Sequence, residues 1–161
     1  MTVSGQTLAV PQLARAAALL VPAGAMAAAL VAQYRYGLAP CEMCWWQRYA
    51  HIAALVVALG AYVVRDPRGV RALVWLAVLG IAVSGVIGGF HAGVEYHWWQ
   101  GLTACSTTHF SGDPLAAIMA APLVRCDVPA WTLFGVSMAG YNCLGSLTAA
   151  AVIVLLVRRE R

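Results

Sequence analysis

Four stretches of this sequence run for about twenty residues with at most one charge each, and no other feature constrains the fold as much. Residues 13–34, 45–64, 72–90 and 131–157 each have the length a helix needs to cross a hydrocarbon core about 30 Å thick. Backbone donors and acceptors in lipid must be satisfied within the segment, so such runs are helices rather than barrel strands. The composition agrees: 62% of the 161 residues are apolar and 10% charged, too few charges for an ordinary soluble domain or a nucleic-acid-binding face. The expected architecture is therefore an all-α, four-transmembrane-helix bundle in a single membrane domain, 1–161. The first run is read as a retained helix, not a cleaved signal, because three more spans follow it. Pro22 is expected to kink it. Gly85, Gly88 and Gly89, and Ala149 to Ala151, suit close helix approach.

The ten basic residues are all Arg, and they fix an orientation. Arg15, Arg65, Arg68, Arg71, Arg158, Arg159 and Arg161 fall on one side of the predicted spans, and only Arg35, Arg48 and Arg125 on the other. The positive-inside rule then puts both termini in the cytoplasm and makes the long connection, residues 91–130, extracytoplasmic. Tyr96, Trp98, Trp99 and Trp131 suit its water–lipid boundary. Asp113 and Pro114, followed by apolar residues at helical spacing, predict a short surface helix within it.

That orientation places Cys41, Cys44, Cys105 and Cys126 on the outer side, where disulfides persist. A structural disulfide suits Cys105 and Cys126, since closing the intervening loop is worth about 3 kcal/mol. It suits Cys41 and Cys44 poorly, because a two-residue gap constrains little, whereas Cys-x-x-Cys at a helix start is the arrangement that activates a thiol. Trp45 excludes covalent c-type haem attachment, which needs His there, and scattered remaining ligands make zinc a poor reading. No metal is expected. At helical spacing, Cys44, Arg48 and His51 share one face, so a guanidinium stands beside a thiol and is able to stabilise a thiolate or donate to a carbonyl oxygen. No nucleotide or flavin fingerprint is present, which leaves a lipid-soluble quinone as the expected electron sink.

Pro40-Cys41-Glu42-Met43-Cys44-Trp45-Trp46-Gln47-Arg48 resembles the signature of the bacterial disulfide bond formation protein B (DsbB) family. The similarity continues through Gly89-Phe90-His91-Ala92-Gly93-Val94-Glu95, the pair Cys105 and Cys126, and residues Trp131 to Asn142. The resemblance implies an inner-membrane enzyme, a protein-dithiol:quinone oxidoreductase, that reoxidises a periplasmic DsbA-like thiol oxidase. It implies redox-active disulfides Cys41–Cys44 and Cys105–Cys126, with Cys105 attacked by the soluble partner. It further implies a site for ubiquinone or menaquinone at Cys44 and Arg48, with His91 as a further candidate. Three rival readings are a vitamin K epoxide reductase-like enzyme, a haem b protein using His51 and His91, and a scaffold with structural cysteines. His97 and His109 are read as solvated loop residues and Cys143 as an inert thiol. Asn142, an amide within an apolar span, is expected to bond another helix.

Overall fold

The computed structural model describes residues 10–103 and 124–159. Among these, four α-helices form an up-and-down bundle: α1 Gln12–Arg35, α2 Glu42–Val63, α3 Pro67–Glu95 and α4 Met138–Arg158, with a two-stranded hairpin, β1 Thr132–Leu133 and β2 Val136–Ser137, ahead of α4. The expected surface helix after Asp113, together with Cys105 and His109, lies outside the described residues. Helix α1 continues through Pro22 as one element, and Gly37, at φ 69°, turns the chain after it.

Small residues line the interior and large ones face outward. The core is built on Ala14, Ala18, Ala54, Ala58, Ala77, Ile81 and Ile153, whereas Leu20, Val56, Leu79, Val86 and Leu155 are exposed. Water would drive the opposite arrangement; a lipid solvent permits it, because close helix approach rather than apolar burial then holds the bundle. A Cβ on Gly88 would stand 2.9 Å from the Ala139 carbonyl, so α3 and α4 meet backbone to backbone there. Helices α1, α3 and α4 are each long and apolar enough to cross a membrane. The first turns of α2 carry Gln47, Arg48, Tyr49 and His51, which lower its mean hydropathy. The chain is a multi-pass membrane protein.

Two helices differ in their bounds from the sequence expectation. The fourth helix starts at Met138, not near Trp131, because Phe134 and Gly135 both take positive φ (49° and 78°) and close a tight hairpin pairing Thr132 with Ser137. Ser137 then caps α4, its Oγ accepting from Gly140 N at 3.1 Å. The third helix is longer than expected at both ends. Asp66 caps it with Pro67 in its first turn, and it ends only at Glu95, so His91 lies in a helix and not in the connection. At 29 residues it is roughly 44 Å long, enough to carry its last turns beyond the hydrocarbon.

The end of α3 is a Schellman motif. His97 takes φ 60°, its N–H reaches the Val94 carbonyl, and Trp98 N–H reaches the Gly93 carbonyl at 2.8 Å. Tyr96 Oη then donates to the Gly135 carbonyl (3.0 Å) and accepts from Ser137 N–H (2.8 Å), binding the end of α3 to the hairpin. At the opposite end of the bundle, Arg15 donates to the Ala61 carbonyl at 2.8 Å and lies over the Tyr62 ring. Arg65, Arg68, Arg71, Arg158 and Arg159 belong to helix ends or turns at that same end.

Candidate redox site

Cys41 is the N-cap of α2, and its sulfur accepts from Cys44 N–H at 3.3 Å. One helical turn therefore brings the two sulfurs to 3.0 Å, so a disulfide of about 2.05 Å needs an approach of only about 1 Å. Both are free thiols here, Cys41 buried and Cys44 half-buried. The Cys41 thiol donates to Cys44, and that bond together with burial raises its pKa above the usual thiol range.

His91, from the neighbouring α3, closes the site from the other side. Its Nε2 lies 3.6 Å from Cys41 Sγ and 3.7 Å from Glu95 Oε1, one turn further along α3. The ring also meets the backbone of Cys126, and Cys126 itself is buried against Cys41, Met43 and Val94. Cys126 is disulfide-bonded, and the Thr103 hydroxyl lies 3.6 Å from its sulfur. The far connection thus returns to the Cys-x-x-Cys pair. Exposed Arg125 forms an ion pair with Asp127, which lowers the Asp127 pKa.

A seam of polar groups runs inward from His91. Gln47 Nε2 lies 3.0 Å from His91 Nδ1 and donates to the Met43 carbonyl at 3.1 Å. Asn142 Nδ2 on α4 donates to Gln47 Oε1 (2.8 Å), to the Ser84 carbonyl (3.1 Å) and to Ser84 Oγ (3.1 Å). Its Oδ1 accepts from Ser146 Oγ and pairs with His51 Nε2, each at 2.9 Å. Three helices are cross-linked by groups that have no water to turn to in an apolar bundle.

Arg48 does not share a direction with Cys44 and His51. Its guanidinium crosses to α1, donating to Gln33 Oε1 at 2.5 Å and to the Ala29 carbonyl at 3.2 Å, and it lies 5.1 Å from the centre of the Trp45 ring. His51 faces α4 instead. The i, i+4, i+7 spacing is real, but interhelical partners on opposite sides pull the side chains apart. Cys143 is a free, half-buried thiol beside Gly89, away from the sulfur pair.

Sequence reasoning did not single out Gln47, Ser84, Ser146 or Glu95 for this site. The available signal was a polar or ionisable residue inside or at the edge of an apolar span, which in a membrane protein marks a bundle-facing position. Asn142 carries that signal: expected to bond another helix, it bonds Gln47 and His51 on α2 and Ser84 on α3.

Two sulfurs and an imidazole nitrogen within 4.8 Å of one another are also a donor set that soft metals accept. What the fold and the site define is a helical membrane protein with a dithiol pair at one end of the bundle, in one buried cluster with a further, disulfide-bonded cysteine. The family model for disulfide bond formation protein DsbB matches residues 11–156, and the chain belongs to that family. It is similar to disulfide bond formation protein B of Polaromonas sp. (strain JS666 / ATCC BAA-500), at 29% identity over 94% of this chain and 93% of the relative. It is also similar to the uncharacterized protein RP370 of Rickettsia prowazekii (strain Madrid E), at 25% identity over 74% and 72% of the two chains. No solved structure matches the chain. Family membership makes it an oxidoreductase of disulfide bond formation.

Proposed function

We propose that the chain is a protein-dithiol:quinone oxidoreductase of the bacterial inner membrane, with α2 crossing as the fourth span, both termini cytoplasmic and the cysteines periplasmic. The observation that carries this reading is that disulfide-bonded Cys126 shares one buried cluster with Cys41, whose sulfur lies 3.0 Å from that of Cys44. A disulfide-bonded cysteine brought into the same cluster as a dithiol is what sequential thiol–disulfide exchange requires.

In this reading a reduced DsbA-like oxidase attacks the Cys105–Cys126 disulfide at Cys105. Its second thiol resolves the mixed disulfide and leaves Cys105 and Cys126 as thiols. Those thiols reduce the Cys41–Cys44 disulfide and recover their own. Oxidation of the Cys41–Cys44 dithiol then releases two electrons and two protons.

The residues around Cys44 fit a quinone. Cys44 is half-buried and not sealed, the Trp45 ring is partly exposed, and Arg48 keeps N–H donors beyond the two given to α1. When bound, a quinone supplies the two-electron, two-proton sink. Arg48 would hold a carbonyl oxygen at the membrane edge, with His91 as a second donor, and the apolar helices exclude water around them. A bis-histidine haem fits less well, because the amides of Gln47 and Asn142 fill the path between His91 and His51.

The deciding experiment follows quinone absorbance with purified protein and a reduced DsbA-like donor. Turnover that disappears in Cys41→Ser and in Cys105→Ser is expected. Equal turnover with both pairs replaced by Ser defeats the reading, and a Soret band in the purified protein would favour haem. For the orientation, a periplasm-active reporter should be silent when fused after Arg161 and active when inserted near Ser111; the reverse pattern would invert the topology.

A further inference from the structure

The amide orientations in the polar seam are not free choices. Asn142 Nδ2 faces the Ser84 backbone carbonyl, which only accepts, so that atom is the amide nitrogen and Oδ1 is left for His51 and Ser146. The same nitrogen lies 2.8 Å from Gln47, so Gln47 presents its oxygen there and its nitrogen on the far side. The Met43 backbone carbonyl, 3.1 Å from that nitrogen, requires the same assignment independently. Gln47 therefore meets His91 Nδ1 with an N–H, at 3.0 Å, and Nδ1 must offer its lone pair. The proton of a neutral His91 ring is left on Nε2, the atom 3.6 Å from Cys41 Sγ.

We infer that Gln47, oriented by Asn142, is a positioning residue that holds His91 as the Nε2–H tautomer, making the ring a hydrogen-bond donor to the Cys41–Cys44 sulfurs and closing it to metal ions. Two nearby thiols and an imidazole otherwise form a trap for zinc, and a dithiol enzyme that captured zinc in its reduced state would stall. A zinc-bound histidine coordinates through one nitrogen while its other N–H donates to a carboxylate or carbonyl. Gln47 presents the opposite polarity at Nδ1. The inference takes from the proposed function only that the Cys41–Cys44 pair passes through a reduced dithiol.

The test has two readouts, neither of which depends on turnover with quinone. In full-length, 15N-histidine-labelled, reduced protein in micelles, His91 should show a pyridine-type Nδ1 and a pyrrole-type Nε2, with a His91→Gln variant identifying the signals. A protonated Nδ1 in the wild type, in the other tautomer or as imidazolium, overturns the inference. Gln47→Glu replaces the N–H with an acceptor and should move the proton to Nδ1. Zinc affinity of the reduced protein, measured by competition with a chromophoric chelator, should then rise about 10- to 100-fold, and adding His91→Gln should remove the gain. Unchanged zinc affinity in folded Gln47→Glu also overturns it. Should that variant not fold, the wild-type spectrum decides alone. Loss of quinone turnover with the expected spectrum would defeat the proposed function and leave this inference standing.

Discussion

The Trp99 indole occupies the space that a side chain at position 93 would need. A Cβ on Gly93 would stand 2.0 Å from Trp99 Cζ2, and the indole Nε1 donates to the Phe90 carbonyl at 2.9 Å. The start of the connection between α3 and the hairpin is thereby folded back onto the last turns of α3, the turns that carry His91 and Glu95. Gly93→Ala should displace the indole and destabilise the bundle by about 1–3 kcal/mol, the usual range for overpacking. Denaturation in detergent reads this directly, and Gly93→Ala combined with Trp99→Ala should cost less than the two changes summed.

His97 holds the left-handed position of the Schellman motif, where glycine is the least strained residue and histidine is among the better-tolerated alternatives. His97→Gly should be neutral or stabilising by up to about 1 kcal/mol, whereas the β-branched His97→Val should be destabilising. The Tm order Gly, His, Val checks it. A His97 needed for redox chemistry would instead show lost turnover in His97→Gly.

Arg48 links α2 to α1 and keeps donors to spare. Arg48→Ala should raise the apparent KM for quinone by roughly 10-fold or more, the worth of one charge-assisted hydrogen bond, and Arg48→Lys should fall between. Capture of a DsbA-like partner at Cys105 should stay near normal in both. Unchanged quinone kinetics in Arg48→Ala would reduce this Arg to its contacts with Gln33 and Ala29.

Cys126→Ser should accumulate a mixed disulfide between Cys105 and the oxidised form of the soluble partner, because the free Cys105 thiolate attacks the partner's disulfide and no Cys126 thiol is left to displace it. Non-reducing gels with cysteine-specific variants identify the adduct. An adduct forming at normal rate through Cys41 or Cys44 in Cys105→Ser would reverse the route. Cys143→Ser should leave turnover intact.

How much of this was legible in the sequence depended on what each signal measures. Apolar runs report membrane length, so the described ends of α1 came within a residue or so of expectation. They cannot report backbone conformation, and Trp131 to Val136 is apolar enough to pass for helix although Phe134 and Gly135 turn the chain. Helical spacing correctly gave the neighbours along α2, but it says nothing of what faces them across the bundle. Arg48 turned to α1 and His51 to α4 for that reason. The convergence of Cys41, Cys44 and His91 required α3 to run one turn past its apolar stretch. Asn142 was legible because an amide in a greasy span must bond something; Gln47 and Ser84 became its partners only once three helices had packed.

A single phenolic oxygen, that of Tyr96, touches both the carbonyl of Gly135 and the N–H of Ser137. The forty residues between Tyr96 and Ser137 are therefore a ring closed at its base by a noncovalent clasp, and the two feet of that ring cannot part without opening it. The clasp sits outside the polar seam. Its consequence is mechanical: the helices below hold a fixed span for the connection, so rearrangement within the ring need not loosen the bundle that carries it.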